Sequence, residues 1–238
     1  MHYRCNVYWG FPAVIGMKNP EAIAGRKYDV HHIFKYNAAM ATAPSRKALT
    51  HERIVDTAAR AIRRAGFAGV GVADIMKEAG LTHGGFYAHF ASRDALLVEA
   101  LAHAGQQGVD RLGQGNALRA ARGASPFRAL IESYLSDRHL SGTENGCAVA
   151  ALVSEMPRQS AEVRAAAVQR VRSLVALVAQ TLPADTAPDS AAAIASQMVG
   201  ALQLARALGD NAEGQALLAA NRSALLARYD APHRRPEP

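Results

Sequence analysis

The stretch GLTHGGFYAHF, residues Gly80 to Phe90, makes an unusual helix. Gly84 and Gly85 stand together near its start, and Phe86 and Phe90 lie one turn apart. A glycine in a helix interior costs roughly 1 kcal/mol against alanine. A segment chosen only for stability would not carry two. Phe86 and Phe90 share a face and can turn back into a core, restoring what the glycines give up. The leading end, Thr82, His83, Gly84 and Gly85, is small and open. Such an end lets a helix backbone approach a partner closely.

The flanking sequence frames that end. Thr50 is a good helix N-cap. Ile54, Val55, Ala58, Ala61 and Ile62 follow at helical spacing, and Gly66 closes the run. Gly71 opens a second helix with Val72, Ile75 and Met76 on its inner face, and Ala79 and Gly80 end it. Gly80 suits a left-handed turn position. Leu81 anchors the turn, Thr82 caps the third, short helix, and Ser92 opens the next one. Helix, glycine turn, helix is the layout of a helix-turn-helix, whose second helix enters the DNA major groove with its N-terminal residues first. By spacing alone the same pattern also fits a plain helical hairpin. In the first reading Thr82, His83, Gly84 and Gly85 meet base edges or nearby backbone, with Gly71 and Val72 alongside. Tyr87, His89 and Arg93 then reach phosphates. His83 and His89 have no cysteine or carboxylate partner at ligand spacing, so no metal site is expected.

The whole chain of 238 residues suits one large domain or two small ones. Half of it is hydrophobic but only 6% is aromatic, and alanine dominates the apolar fraction. That mix favours packed helices over sheets, so the expected fold is all-α. No apolar run near 20 residues is free of charges, and no membrane span is expected. The formal charge is +7, with most of the excess in the first 95 residues. A basic balance suits an anionic partner. Cys5 and Cys147 make no disulfide framework, and a cytoplasmic setting is the default.

Residues 1–39 differ from the rest. They hold half of the aromatics, the single Trp and little alanine, with Pro12 and Pro20 and no periodic apolar face. MATAPSRKALTHERIV, from Met40, reads as a natural start. The expectation is that 1–39 is an upstream extension. A genuine arm that binds DNA or a partner is the alternative.

The segment THERIVDTAARAIRRAGFAGVGVADIMKEAGLTHGGFYAHFASRDALLVEAL, from Thr50 to Leu101, resembles the DNA-binding head of the tetracycline-repressor (TetR/AcrR) family. The most specific block is AGLTHGGFYAHFASRDAL. It holds a turn, a short recognition helix closing in aromatics, then Ser-x-Asp-x-Leu opening a long connecting helix. The resemblance implies an all-helical protein with an N-terminal three-helix helix-turn-helix head, residues 40–95. A C-terminal helical ligand-binding and dimerisation domain, residues 96–229, and a loose tail, 230–238, would follow. It implies a homodimer that binds a palindromic operator in double-stranded DNA and leaves it when a small-molecule effector enters the C-terminal domain. It places Thr82, His83 and Gly84 at bases or nearby backbone and Tyr87 and His89 at phosphates. Arg46 and Lys47 would reach phosphate or the minor groove. Gly71 departs from the family, which usually has a hydroxyl residue there. The phosphate contact is then lost or made by the backbone.

Beyond the head, Ser92 to about Gln107 reads as helix and glycine-spotted 108–123 as a helix end and loop. Ser125-Pro126 opens a helix with Phe127, Leu130, Ile131, Tyr134 and Leu135 inward. Residues 147–156 form a short helix. Ser160 opens a long one with Val171, Leu174, Val175, Val178 and Leu182 on one side. Two further helices, rich in alanine and leucine, carry Ile194, Met198 and Leu202, then Leu217, Leu218, Leu225 and Leu226. The resemblance assigns these last two to a four-helix dimer interface; an ordinary intramolecular core is the plainer reading. Helix faces suggest an apolar effector pocket walled by Leu97, Leu101, Tyr134, Cys147, Leu152 and Val175. Some relatives carry a Gly-Cys pair near the position of Cys147, and in certain ones that cysteine senses electrophiles or oxidants. A small buried hydrophobe is the bland alternative. No nucleophile elbow, phosphate-cradling glycine loop or metal cluster appears, so neither enzyme activity nor a cofactor is expected.

Overall fold

Nine α-helices and three 3₁₀ helices follow one another among residues 44–230, the part of the chain that the computed structural model describes, and no strand occurs there. The 1–39 extension, the start at Met40 and tail residues 231–238 lie outside the described residues.

The first helix, α1 (Arg46–Ala65), starts earlier than its apolar pattern. Ser45, not Thr50, caps it, accepting the Ala48 N–H at 3.1 Å. Thr50 sits a turn inside and donates its hydroxyl back to the Arg46 carbonyl at 2.9 Å. The first turn is exposed and basic, so it carries no periodic signal. Ile54, Val55, Ala58, Ala61 and Ile62 are buried as expected, and Gly66 ends the helix at φ 77°. Helix α2 (Val72–Glu78) buries Ile75 and Met76, and Gly80 takes the left-handed turn at φ 70°. The short helix that follows is a 3₁₀ helix, His83–Ala88. Thr82 occupies its N-cap without a side-chain bond. Phe86 and Phe90 are buried and stacked, ring centroids 5.6 Å apart.

Helix α3 overturns the expected loop after Gln107, because it runs unbroken from Arg93 to Ala120. Its N-terminal half packs into the head: Leu96, Leu97, Ala100, Leu101 and Ala104 share one core with α1, α2 and the two phenylalanines. Its C-terminal half lies along the body. Packing on α1, α4 (Pro126–Tyr134) and α7 (Ala161–Ala179) outweighs the helix cost of its glycines.

The second core joins α4, α5 (Asp137–Ser141), α6 (Ala148–Leu152), α7, α8 (Ser190–Leu208) and α9 (Ala212–Tyr229). Ser125 and Pro126 open α4 as the sequence suggests, and Phe127, Leu130, Ile131, Tyr134 and Leu135 are buried. Helix α6 is shorter than the expected 147–156 and passes through a turn into a 3₁₀ helix, Met156–Arg158. In α7, Leu174 and Val178 face the core but Val171 is exposed. Asp230 is anchored rather than loose, since Arg128 Nη2 reaches its carboxylate at 2.7 Å. Helix α8 is long and apolar enough to cross a membrane by length and composition, yet Ile194, Met198, Leu202 and Ala205 lie in the core.

Candidate nucleic-acid interface and adjoining cavity

The head presents an open edge. A Cβ added to Gly84 would meet nothing within 4 Å, and one added to Gly85 would make only ordinary contact with Met76 at 3.7 Å. The fold itself therefore does not demand glycine at 84. Thr82 and His83 are exposed beside it, and Tyr87 is 72% exposed although it stands next to the buried Phe86.

Around that edge the charges are positive. Arg46 and Lys47 are exposed on the first turn of α1. His89 is half-buried, its Nδ1 without a hydrogen-bond partner. Desolvation, then His51 and Lys47, pushes its pKa below the usual histidine value, so the free protein holds it uncharged at neutral pH. The sequence reading missed His51. It stacks on Phe90 with centroids 4.5 Å apart and meets Glu99 at 2.7 Å, fixing α1 against α3.

Three further residues of the expected set are engaged within the head. The Gly71 N–H donates to Asp74 Oδ2 at 3.2 Å, and Val72 is half-buried against the head core. Arg93 donates to the Phe67 and Val70 carbonyls, the latter at 3.3 Å, and so clamps the turn between α1 and α2.

A polar joint ties this head to the body. Arg63, on α1, is almost fully buried. It donates to Gln107 Oε1 at 2.7 Å and to the Ala104 and Gly146 carbonyls, each at 3.4 Å. Burial, with Arg111 nearby, lowers its pKa to about 10, so it stays charged. Arg64 spans Glu78 at 2.7 Å and Glu144 at 3.0 Å. Arg111, on α3, donates to the Asn145 carbonyl at 2.6 Å. The 143–147 loop is thus gripped by both α1 and α3.

That loop forms one wall of an open cavity of about 940 Å³ between α3, the α4–α6 segment and α7. Of the expected pocket residues, Tyr134 and Cys147 line it. Leu97, Leu101 and Leu152 instead fill the head-side core, and Val175 packs on the second core. His139 braces the wall. Its Nδ1 lies 2.7 Å from the Tyr134 carbonyl, and the Cys147 N–H donates to its Nε2 at 2.9 Å. These partners fix one neutral tautomer, protonated at Nδ1. Burial, opposed by the Tyr134 carbonyl, holds its pKa down at about 4. Among the described residues no cluster of His, Cys, Asp or Glu is suited to hold a metal ion.

Residues 54–100 match the family model described as bacterial regulatory proteins, tetR family. An uncharacterised HTH-type transcriptional regulator of Mycobacterium tuberculosis (strain H37Rv) is 31% identical over 170 residues, covering 67% of this chain and 85% of that protein. The HTH-type transcriptional repressor NemR of Escherichia coli (strain K12) is 29% identical over 143 residues, covering 56% of this chain and 67% of NemR. The crystal structure of reduced E. coli NemR shares the fold at a TM-score of 0.62 and 22% identity, over 77% of this chain and 98% of that one.

Proposed function

The chain belongs to the tetR family of bacterial regulatory proteins, and on that premise we propose that it is a dimeric repressor released from its operator by a small organic effector. The observation that carries the DNA-reading role is the open Gly84 edge on a fully packed head. Thr82, His83, Gly84 and Gly85 approach base edges, while Tyr87, His89, Arg46 and Lys47 hold phosphates. Arg93 acts indirectly here, by fixing the turn that carries α2. The similarity to NemR supports repression over activation. The protein works where the DNA is, in the cytoplasm.

Dimerisation uses α8 and α9. Leu204 is 60% exposed on α8, and a Cβ at Gly200, one turn before it, would point into open space. A small, apolar, unfilled helix face of this kind suits close approach across a two-fold axis. Two recognition helices then stand about 34–36 Å apart, one turn of DNA. An effector in the cavity displaces the 143–147 loop, α1 follows through Arg63 and Arg64, and the spacing is lost. A tenfold weakening requires only about 1.4 kcal/mol of coupling.

A second reading, switching by attack of an electrophile or oxidant on Cys147, is favoured by one observation: the free, half-buried thiol lines the cavity. A Cys147→Ser protein that still leaves DNA on oxidant treatment would remove it.

The function is tested by footprinting the full chain on the DNA flanking its own gene, with competitor DNA, at two salt concentrations. Two protected half-sites about one helical turn apart are expected, with affinity falling steeply as salt rises. Protection without symmetry, or abolished by competitor, contradicts the proposal.

A further inference from the structure

No sequence feature points to a charged effector, but the cavity wall is cationic. Arg111, Arg119, Arg138 and Arg170 line it, and no aspartate or glutamate does. Arg119 is spent on Glu132 at 3.3 Å. Arg111 has only the Asn145 carbonyl. Arg138 and Arg170 make no ion pair or side-chain hydrogen bond among the described residues. Arg119 and Arg170 are half-buried and Arg111 and Arg138 exposed, so the wall carries positive charge that no carboxylate of the lining offsets.

The backbone makes room for this arrangement. Gly105 faces the cavity from inside α3, and a Cβ there would collide with the Arg170 guanidinium. Gly115 faces it nearly three turns on, where a Cβ would press on Ser133 Oγ at 2.9 Å. The helix thus accepts glycines in its interior where they let Arg170 lie against it and keep the cavity open. Deeper in the wall, the Tyr134 side chain is completely buried, and its hydroxyl has no hydrogen-bond partner. Burial, with Cys147 adjacent, pushes the pKa of that hydroxyl up. The wall also carries Leu112, Leu118, Leu174 and Leu177, set among polar side chains such as Gln106, Gln114, Ser133 and Ser173. The volume is within the range that holds a drug-sized ligand.

We propose that this cavity binds a small organic anion, its acidic head held by Arg170, Arg111 and Arg138 and its apolar body laid along the leucines of α3 and α7. Guanidinium forks pair with planar oxyanions through charge-assisted bonds, which an inorganic ion would also use. The leucine wall selects a carboxylate or sulfonate on a hydrocarbon body. Through Arg111, which holds the Asn145 carbonyl, such a ligand acts on the 143–147 loop and so on the joint with α1. This inference rests on the reading of the chain as an effector-released regulator and deepens it.

The test uses the full chain and two fluorescent probes that differ by one group. These are 8-anilinonaphthalene-1-sulfonate and its neutral parent, N-phenyl-1-naphthylamine. The sulfonate is expected to bind once per chain, about tenfold or more tighter than the parent. Arg170→Gln should remove that preference and leave the parent's affinity within about twofold, while Arg170→Lys keeps part of it. Arg164→Gln, on the exposed face of the same helix, should change neither. Should Arg170→Gln fail to fold by circular dichroism, Arg138→Gln carries the same expectation. Equal affinities for the two probes, no binding of either, or equal losses in Arg164→Gln and Arg170→Gln overturn the proposal. Footprinting the same preparation separates the two readings. Specific DNA binding without probe discrimination leaves the regulator and removes the anion. Discrimination without DNA binding does the reverse.

Discussion

Gly84 and Gly105 both stand in helical segments where alanine is the better residue, yet their surroundings are opposite. Around Gly84 there is empty space, while Gly105 is pressed by an arginine from the neighbouring helix. The first glycine leaves the protein's outer edge low, as the proposed DNA contact requires; the second makes space within the molecule for a side chain already there. The comparison teaches that glycine in a helix is not one signal. Whether it marks an interface or an internal cavity depends on what faces it across the missing Cβ.

The comparison breaks most readily at the DNA edge. Gly84→Glu should cost roughly 1,000-fold in operator affinity, because each subunit carries a new side chain and a negative charge where backbone meets DNA. Its thermal unfolding should stay near that of the parent, since the added Cβ meets nothing. A gel-shift titration beside a melting curve checks both statements.

On the cavity side the largest expected effect is one of pH. The His139 pKa is held down at about 4 in the folded protein, against 6.5 for the free side chain. The unfolded chain therefore binds the extra proton first as pH falls. The stability due to neutral His139 is complete above about pH 6.5 and is lost progressively down to about pH 4, on the order of 3 kcal/mol in all. Denaturant unfolding across that range should show the slope, and His139→Gln should flatten it. An unchanged slope would mean that the brace on the 143–147 loop does not depend on this ring.

The joint between the two regions comes next. Arg63→Ala should lower stability by about 2 kcal/mol, through lost packing and unpaired carbonyls. Wherever an effector releases the parent from DNA, the variant should respond less. A variant that is destabilised but fully responsive would place the coupling elsewhere.

The smallest effect has the opposite sign. A Cβ at Gly108 meets nothing within 4 Å, and this residue lines the cavity. Gly108→Leu should raise stability by roughly 1 kcal/mol through helix propensity. It should also block the probes while leaving DNA affinity alone. Loss of stability there would mean that the cavity side of α3 is more tightly packed than it looks.

Much of the fold was legible in the sequence because the head's signals agree with one another. The spacing from Ile54 to Ile62, the turn at Gly80 and the pair Phe86 and Phe90 all point to the same three helices. The start of α1 was not legible, since its exposed first turn, Arg46 to Leu49, buries no residue that would extend the apolar stripe. The second half of α3 was misread as a loop because Gly108, Gly113 and Gly115 are local breakers, and only packing from α1, α4 and α7 overrides them. The pocket was read from apolar helix faces. These identify buried leucines such as Leu97 and Leu152 but cannot say which of them meet other protein and which meet space. The sequence of α7 does carry one sign of the cavity. Arg170 falls at core spacing with Val163, Ala167, Leu174 and Val178, three of them buried aliphatics and one a buried alanine. A charged residue on a buried stripe without a carboxylate partner invites a search for a ligand.

The central claim is that the edge at His83–Ala88 reads DNA. Its most direct test is the affinity of the full chain, parent and Gly84→Glu, for the DNA flanking its own gene, each titrated with and without excess competitor. The account predicts a parent complex that resists competitor and a folded variant whose complex does not form or is swept away. Equal, competitor-resistant binding by the two proteins would contradict it and move recognition to another surface.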